Sequence, residues 1–265
     1  MLINSDGWKK LVNKEKFKLN KKKLIKIKNQ VLKSYDEFSF LKKNDDKYLF
    51  KSLTEAKNKL EKLEKIILVG TGGSSLGAKA FLSIINDNRI VFLENIDPKT
   101  IKNTFDKIIG KSIGLLIISK SGETLEVLSI FDIIINNLKK QINIRNHVIV
   151  ITDDQSSKLK NISDNYKIKL FPHDKSIGGR YSCFSITGLL PLHLAGIDAK
   201  KIKKLANAFF DNNLTEDKYK LFKSVNILSF IIKQKKYVGH VFLTYSDSFN
   251  QLSKWYRQLW AESLG

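Results

Sequence analysis

The sequence predicts an α/β fold, a doubly wound parallel sheet flanked by helices, with a helical N-terminal segment and an incomplete second α/β domain. Two observations carry this. Between residues 65 and 171, short apolar runs rich in β-branched residues alternate with stretches that read as helices. The runs are apolar at consecutive positions rather than at every second one, as strands buried on both faces require. Strand–helix alternation of this kind builds βαβ crossovers.

The elements follow in order. Residues 1–64 hold no β-like run; Leu53, Ala56, Leu60 and Leu63 recur at intervals of three or four, a helical spacing. Strands are expected at 65–69, 89–93, 113–118 and 147–151, with a weaker one at 166–171. Helices fit between them at about 75–87, 98–109, 123–140 and 155–161. After Pro191 the pattern restarts: helices at 198–210 and 216–235, a strand from Tyr237 to Tyr245, and a helix from Ser248 to Ser263. The domains read from this are 1–64, 65–197 and 198–265.

Composition narrows the function classes. With 42% hydrophobic and 10% aromatic residues the chain is neither disordered nor collagen-like. Its net charge of +21 raises nucleic acid or an anionic membrane as partners. Only Arg89, Arg145, Arg180 and Arg257 are arginines, however, and arginine is the usual reader of phosphates and base edges. The lysines are interleaved with Asn and Ile along the whole chain and read as solvated helix faces. The expectation is therefore no nucleic-acid partner. One cysteine, Cys183, allows no internal disulfide and suits a reducing compartment. No apolar run approaches the ~20 residues of a membrane span, and the first residues lack a signal-peptide core. No zinc-ligand spacing occurs. A cytoplasmic protein without membrane or metal is expected.

Four segments carry chemistry. Gly70-Thr71-Gly72-Gly73-Ser74-Ser75-Leu76-Gly77 follows the first strand, where glycines admit an anion and the next helix offers free N–H groups. A plain tight turn is the alternative. A dinucleotide site, with Glu94 on the ribose, is a rival whose G-x-G-x-x-G spacing fails at Ser75. Ser119-Lys120-Ser121-Gly122-Glu123-Thr124 follows the third strand and gathers three hydroxyls and an ammonium into a phosphate cradle, or else merely caps a helix. Both turns would meet at the carboxyl edge of the sheet, where open α/β sheets bind ligands. Gly178-Gly179-Arg180-Tyr181-Ser182 sets a fixed cation beside bare backbone, able to steady an oxyanion. Gln258 and Glu262, four apart, share a helix face; they are a surface pair or the seat of a general base.

Together these segments resemble the phosphoglucose isomerase family. Residues 70–77 match its Gly-x-Gly-Gly-Ser-x-Leu-Gly turn and 119–124 its Ser-Lys-[Ser/Thr] loop, both shared with sugar-isomerase (SIS) domains. Residues 178–182 match Gly-Gly-Arg-[Tyr/Phe]-Ser and 258–263 match Gln-Leu-x-x-Glu-Ser, which are specific to the family. Asn95-Ile96-Asp97 and 189–198 match as well, so the likeness runs from about residue 65 to the end. The resemblance implies a cytoplasmic glycolytic and gluconeogenic enzyme interconverting glucose 6-phosphate and fructose 6-phosphate through a cis-enediol, without cofactor or metal. It implies that Ser74, Ser119, Lys120, Ser121 and Thr124 bind the sugar phosphate. Glu262 would be the base, Arg180 with the Gly179 backbone would steady the enediolate, and Gln258 would position substrate.

Family members continue beyond the Glu-Ser helix, supply a ring-opening histidine from a neighbouring subunit and a lysine near their C-terminus, and work as homodimers. On this reading the chain is a C-terminally truncated fragment, inactive or weakly active, whose 65–197 region is a first SIS domain and whose 198–265 region opens a second. The other function class left open is a non-catalytic SIS module that binds a phosphosugar for regulation.

Overall fold

The computed structural model describes residues 21–33, 46–215, 220–233 and 239–264. In chain order the elements are α1 (Lys21–Lys33), α2 (Asp46–Leu60), β1 (Lys65–Val69), α3 (Leu76–Leu82), β2 (Ile90–Leu93), α4 (Pro98–Asp106), β3 (Ile113–Ile118), α5 (Leu125–Leu138), the single turn α6 (Ile144–His147), β4 (Val148–Thr152), α7 (Lys158–Asn165) and β5 (Lys169–Pro172). Then come α8 (Ile186–Leu194), α9 (Ala199–Thr215), α10 (Lys220–Lys233) and α11 (Asn250–Leu264). Short 3-10 turns lie at Gly72–Ser74, Gly179–Phe184 and Asp247–Phe249. The chain divides into two compact units: Lys42–Lys204 with Phe242–Gly265, and Met1–Leu41 with Leu205–Val241.

The first unit holds the sheet. All five strands are parallel in the order β2-β1-β3-β4-β5, a doubly wound arrangement. Alternate residues of each strand feed two separate cores. Ile66, Leu68, Leu116, Ile118, Ile149 and Ile151 point to one face, covered by Leu53 and Leu60 of α2 and Leu189, Leu190 and Leu192 of α8. Ile67, Val69, Leu115, Ile117, Val148 and Val150 point to the other, covered by Ile101 of α4, Val127, Ile130, Phe131 and Ile134 of α5, and Leu159 of α7. Burial on both faces is why the strand sequences are unbroken apolar runs. In the second unit α1 packs against α10, with Ile227 buried.

The fold class stands as the sequence predicts it, and the departures are local. The helix expected at 155–161 starts at Lys158, because Ser157 accepts a hydrogen bond from the Lys160 N–H and the Glu123 carboxylate accepts one from the Lys158 N–H. Asp153 to Ser156 stay outside it as a turn. The last strand is four residues long and begins at Lys169, after Lys167 takes a left-handed conformation. The largest difference is the strand expected from Tyr237 to Tyr245. Tyr237 and Val238 lie outside the described residues, and Gly239–Thr244 forms no strand. A parallel strand takes its hydrogen bonds from neighbours, and among the described residues the five-stranded sheet accepts no sixth. Val241, Leu243 and Tyr245 are consequently exposed.

Candidate active site

The site is built at the carboxyl ends of β1, β3 and β4. In the order β2-β1-β3 the chain reverses direction across the sheet between β1 and β3, leaving a crevice above the strand ends. There the structure forms a cleft of about 490 Å³ lined by Thr71, Gly73, Ser74, Lys120, Ser121, Thr124, Asp153, Gln155, Ser156 and Gly179. Of the residues singled out from sequence, Ser74, Lys120, Ser121, Thr124 and Gly179 are thus brought together.

Ser119 is placed differently. It is buried beneath the loop, where its Oγ accepts the Gly122 N–H at 3.1 Å and lies 2.8 Å from Thr124 Oγ1. The Ser119–Thr124 contact fixes the Thr124 side chain at the mouth of the loop, with either hydroxyl able to donate. Gly122 has φ +66°, and a Cβ there would stand 2.1 Å from Ser157 Oγ, so only glycine fits between the two loops. Glu123, next to it, turns away: its carboxylate holds the Lys158 N–H at 2.7 Å, a bond that keeps its pKa below the ordinary carboxylate value. The one carboxylate of this loop is therefore engaged at the start of α7.

A second cluster adjoins the cleft through Gly179. Arg180 NH1 lies 3.5 Å from Glu262 Oε2, and Gln258 Nε2 donates to Glu262 Oε1 at 2.9 Å. Arg180 Nε donates to Ser263 Oγ at 3.0 Å, while the Tyr181 hydroxyl lies 2.8 Å from that same oxygen. The Ser263 bond, aided by the Arg180 charge, draws the Tyr181 hydroxyl below its usual pKa. Trp255 Nε1 donates to the Arg180 carbonyl, fixing the backbone of the guanidinium's residue to α11. Arg180, Gln258 and Glu262 thus stand together, with about 80 residues between the arginine and its partners.

What holds the two clusters together is backbone against backbone. A Cβ on Gly73 would be 2.2 Å from the Gly179 carbonyl carbon and 2.7 Å from the Arg180 nitrogen. Ser182 Oγ bridges the pair, 3.0 Å from the Gly73 carbonyl oxygen and 2.7 Å from that of Gly179. Cys183 is buried directly behind; burial pushes its thiol pKa up, which suits a packing residue.

Sequence reasoning missed Thr71, Asp153, Gln155 and Ser156 in the cleft, and Tyr181, Ser263 and Trp255 in the second cluster. A signal for the first group was present: Thr71 stands inside the Gly70–Gly77 turn, and the loop after β4, which supplies Asp153, Gln155 and Ser156, neighbours the loop after β3 once the sheet is doubly wound. Glu94, the rival ribose acid, is engaged elsewhere, accepting from Ser75 Oγ and pairing with Lys79. Among the described residues no three His, Cys, Asp or Glu side chains cluster as a metal site. No described helix is long and apolar enough to cross a membrane.

A family model described as phosphoglucose isomerase matches residues 50–265. The chain belongs to the phosphoglucose isomerase family. It is 34% identical over 216 residues to a glucose-6-phosphate isomerase of Campylobacter jejuni subsp. jejuni, covering 77% of this chain and 51% of that one. A glucose-6-phosphate isomerase of Thermus thermophilus is 31% identical over 214 residues, covering 77% and 49%. Among solved structures, a hypothetical protein from Thermus thermophilus gives a TM-score of 0.75 at 28% identity, over 91% of this chain and 60% of the other. A glucose-6-phosphate isomerase from Chlamydia trachomatis gives 0.64 at 24% identity, over 83% and 44%, a likeness of fold. The chain spans about half the length of the curated relatives it matches. The phosphoglucose isomerases are sugar isomerases of the SIS type, and this chain carries that fold.

Proposed function

We propose that the site serves an aldose–ketose isomerase interconverting glucose 6-phosphate and fructose 6-phosphate through a cis-enediol. The observation that carries the reading is the placement of a carboxylate, Glu262, 3.5 Å from a guanidinium, Arg180, at the rim of a hydroxyl-rich cleft. A proton α to a carbonyl is too weakly acidic for a bare carboxylate unless the developing oxyanion is met by positive charge. Glu262 takes the proton from one carbon and returns it to its neighbour, while Arg180 and the Gly179 backbone meet the enediolate oxygen. Gln258 holds Glu262 Oε1 and so sets which oxygen faces substrate. The phosphate is held by Ser121 and Thr124, oriented by Ser119, by the amides at the start of α5, and by Ser74 across the cleft, with the Lys120 charge beside them.

Ring opening has no assigned group here, since none of the described histidines lines the cleft. The 265-residue chain alone is accordingly proposed to bind sugar phosphate and to turn it over slowly. The family resemblance further supports a cytoplasmic homodimer for the whole protein, working without cofactor, membrane or nucleic acid. It also supports a first SIS domain at 65–197 with 198–265 opening a second, after an N-terminal segment over 1–64, of which residues 1–20 and 34–45 lie outside the described residues.

The test compares Glu262→Gln with Ser121→Ala in a version carrying the remainder found in full-length relatives. Ser121→Ala should weaken sugar-phosphate binding by about 10-fold or more, the loss of a hydrogen bond to a charged group. Glu262→Gln should leave binding within about 3-fold and lower turnover by at least ~100-fold, the scale of general-base catalysis. Undiminished turnover by Glu262→Gln would refute the assignment of the base and favour a binding-only SIS module.

A further inference from the structure

Lys120 sits in the loop read as a phosphate cradle, yet its ammonium is engaged on the far side of the cleft. Its Nζ donates to the Lys175 carbonyl at 2.9 Å and to the Ile177 carbonyl at 3.0 Å. These belong to the strap that runs from β5 to Gly179. The strap is also moored elsewhere: the His173 N–H donates to the Thr152 carbonyl, the Lys175 ammonium pairs with Asp153 at 3.4 Å and Asp154 at 3.0 Å, and the His173 and Ile177 side chains are buried. Between Ile177 and Arg180 stand only Gly178 and Gly179, which have no side chains to anchor them. The Gly178 carbonyl accepts the Tyr181 N–H and the Gly179 carbonyl accepts from Ser182 Oγ, so the second carbonyl that Lys120 grips is the last point before Arg180 that is tied to the loop after β3. From the other side the Arg180 backbone is held by Trp255 and by the packing of Gly179 on Gly73.

We infer that Lys120 is a positioning residue: its ammonium fastens the strap from one strand end to the next, and so sets where Gly179 and Arg180 stand at the reacting end of the substrate. This rests on the isomerase reading of the site and deepens it. An ammonium has three donors, and with two spent on carbonyls its direct part in holding phosphate is the smaller one. The alternative, a simple counter-charge, makes a different prediction, because it would affect every phosphorylated ligand equally.

The test uses the 265-residue chain and two probes that share a phosphate. Inorganic phosphate reports the cradle alone. 5-Phospho-D-arabinonate adds a carboxylate where the enediolate oxygen would lie, and so reports Arg180 as well. In Lys120→Met, titration calorimetry should show phosphate affinity reduced by no more than about 5-fold, the scale of one lost screened charge. Arabinonate affinity should fall by about 50-fold or more, the order expected for a misplaced reacting-end group. Amide hydrogen exchange over 177–181 should quicken by about 10-fold or more in the ligand-free protein, as the strap opens locally. Lys120→Arg, which keeps charge and multiple donors, should recover both. In an Arg180→Ala background, Lys120→Met should cost the arabinonate less than it does with Arg180 present, since part of the effect passes through Arg180.

Should Lys120→Met fail to melt cooperatively, Lys120→Gln carries the same expectations. Equal losses for the two ligands with unchanged strap exchange would overturn the positioning role and leave the isomerase reading standing. Failure of the wild-type chain to bind either probe would overturn both together.

Discussion

Replacing Gly73 by alanine is the sharpest perturbation the structure offers. The added methyl would lie 2.2 Å from the Gly179 carbonyl carbon and 2.4 Å from its oxygen, whereas ordinary contact begins at 3.4 Å. All the clashing atoms are backbone, so no rotamer change relieves them. The strap must retreat by about 1.2 Å. Overpacking of this kind costs about 1–3 kcal/mol, and a shift near 1 Å at a reacting group costs on the order of 100-fold in rate or reacting-end affinity. For a chain of this length 1–3 kcal/mol lowers Tm by roughly 2–12 °C. The adjacent-loop control is Gly179→Ala. Its Cβ would find nothing nearer than the Gly73 Cα at 4.0 Å, so the fold has room for it, while the position lines the cleft. Thermal melting and titration with 5-phospho-D-arabinonate on both variants separate the effects. Gly73→Ala should lose stability and affinity; Gly179→Ala should keep its Tm within about 1–2 °C and lose affinity alone. A Gly73→Ala protein with unchanged Tm and affinity would refute the backbone-contact account of the site.

Other expectations concern stability and partners. Arg89 donates through Nε, NH1 and NH2 to carbonyls of Leu60, Glu61, Leu63 and Leu194, tying the ends of α2 and α8 together. Arg89→Met should therefore cost about 2–4 kcal/mol in denaturant titration, and a loss under about 0.5 kcal/mol would contradict this. Burial, with Lys120 adding to it, holds the His173 imidazole below its ordinary pKa of 6.5, and burial does the same at His193. Unfolded chains then bind more protons than folded ones as pH falls through 6.5, so stability should decline from about pH 7 toward the lower folded pKa values. A Tm series in pH should show that slope, and His173→Gln should flatten it. Two of the four arginines, Arg89 and Arg180, are engaged within the fold. Mobility shifts with duplex DNA should consequently be absent at ~150 mM salt, and a sequence-selective shift there would reopen nucleic acid as a partner.

Much of the site was legible in the sequence. The Gly70–Gly77 and Ser119–Thr124 segments follow apolar runs, and strand-then-turn order alone places both at the carboxyl edge of a parallel sheet. What could not be read was direction. Nothing in Ser119 or Lys120 tells that the hydroxyl points inward at Thr124 and the ammonium outward to the strap, because each depends on what the neighbouring loop presents. Ser157, Glu123 and Lys158 illustrate the same limit: a cap shared between two loops shifted the start of α7 by three residues.

Short-range patterns therefore sufficed for the parallel sheet and for the type of the elements between Lys65 and Pro172, since periodicity is a local property. The meeting of Arg180 with Glu262 and Ser263, the contact of Gly73 with Gly179, and the non-strand conformation of Gly239–Thr244 were decided by the tertiary structure. Each depends on which distant segment arrives beside it, and that is settled by packing around the sheet rather than by any window of sequence.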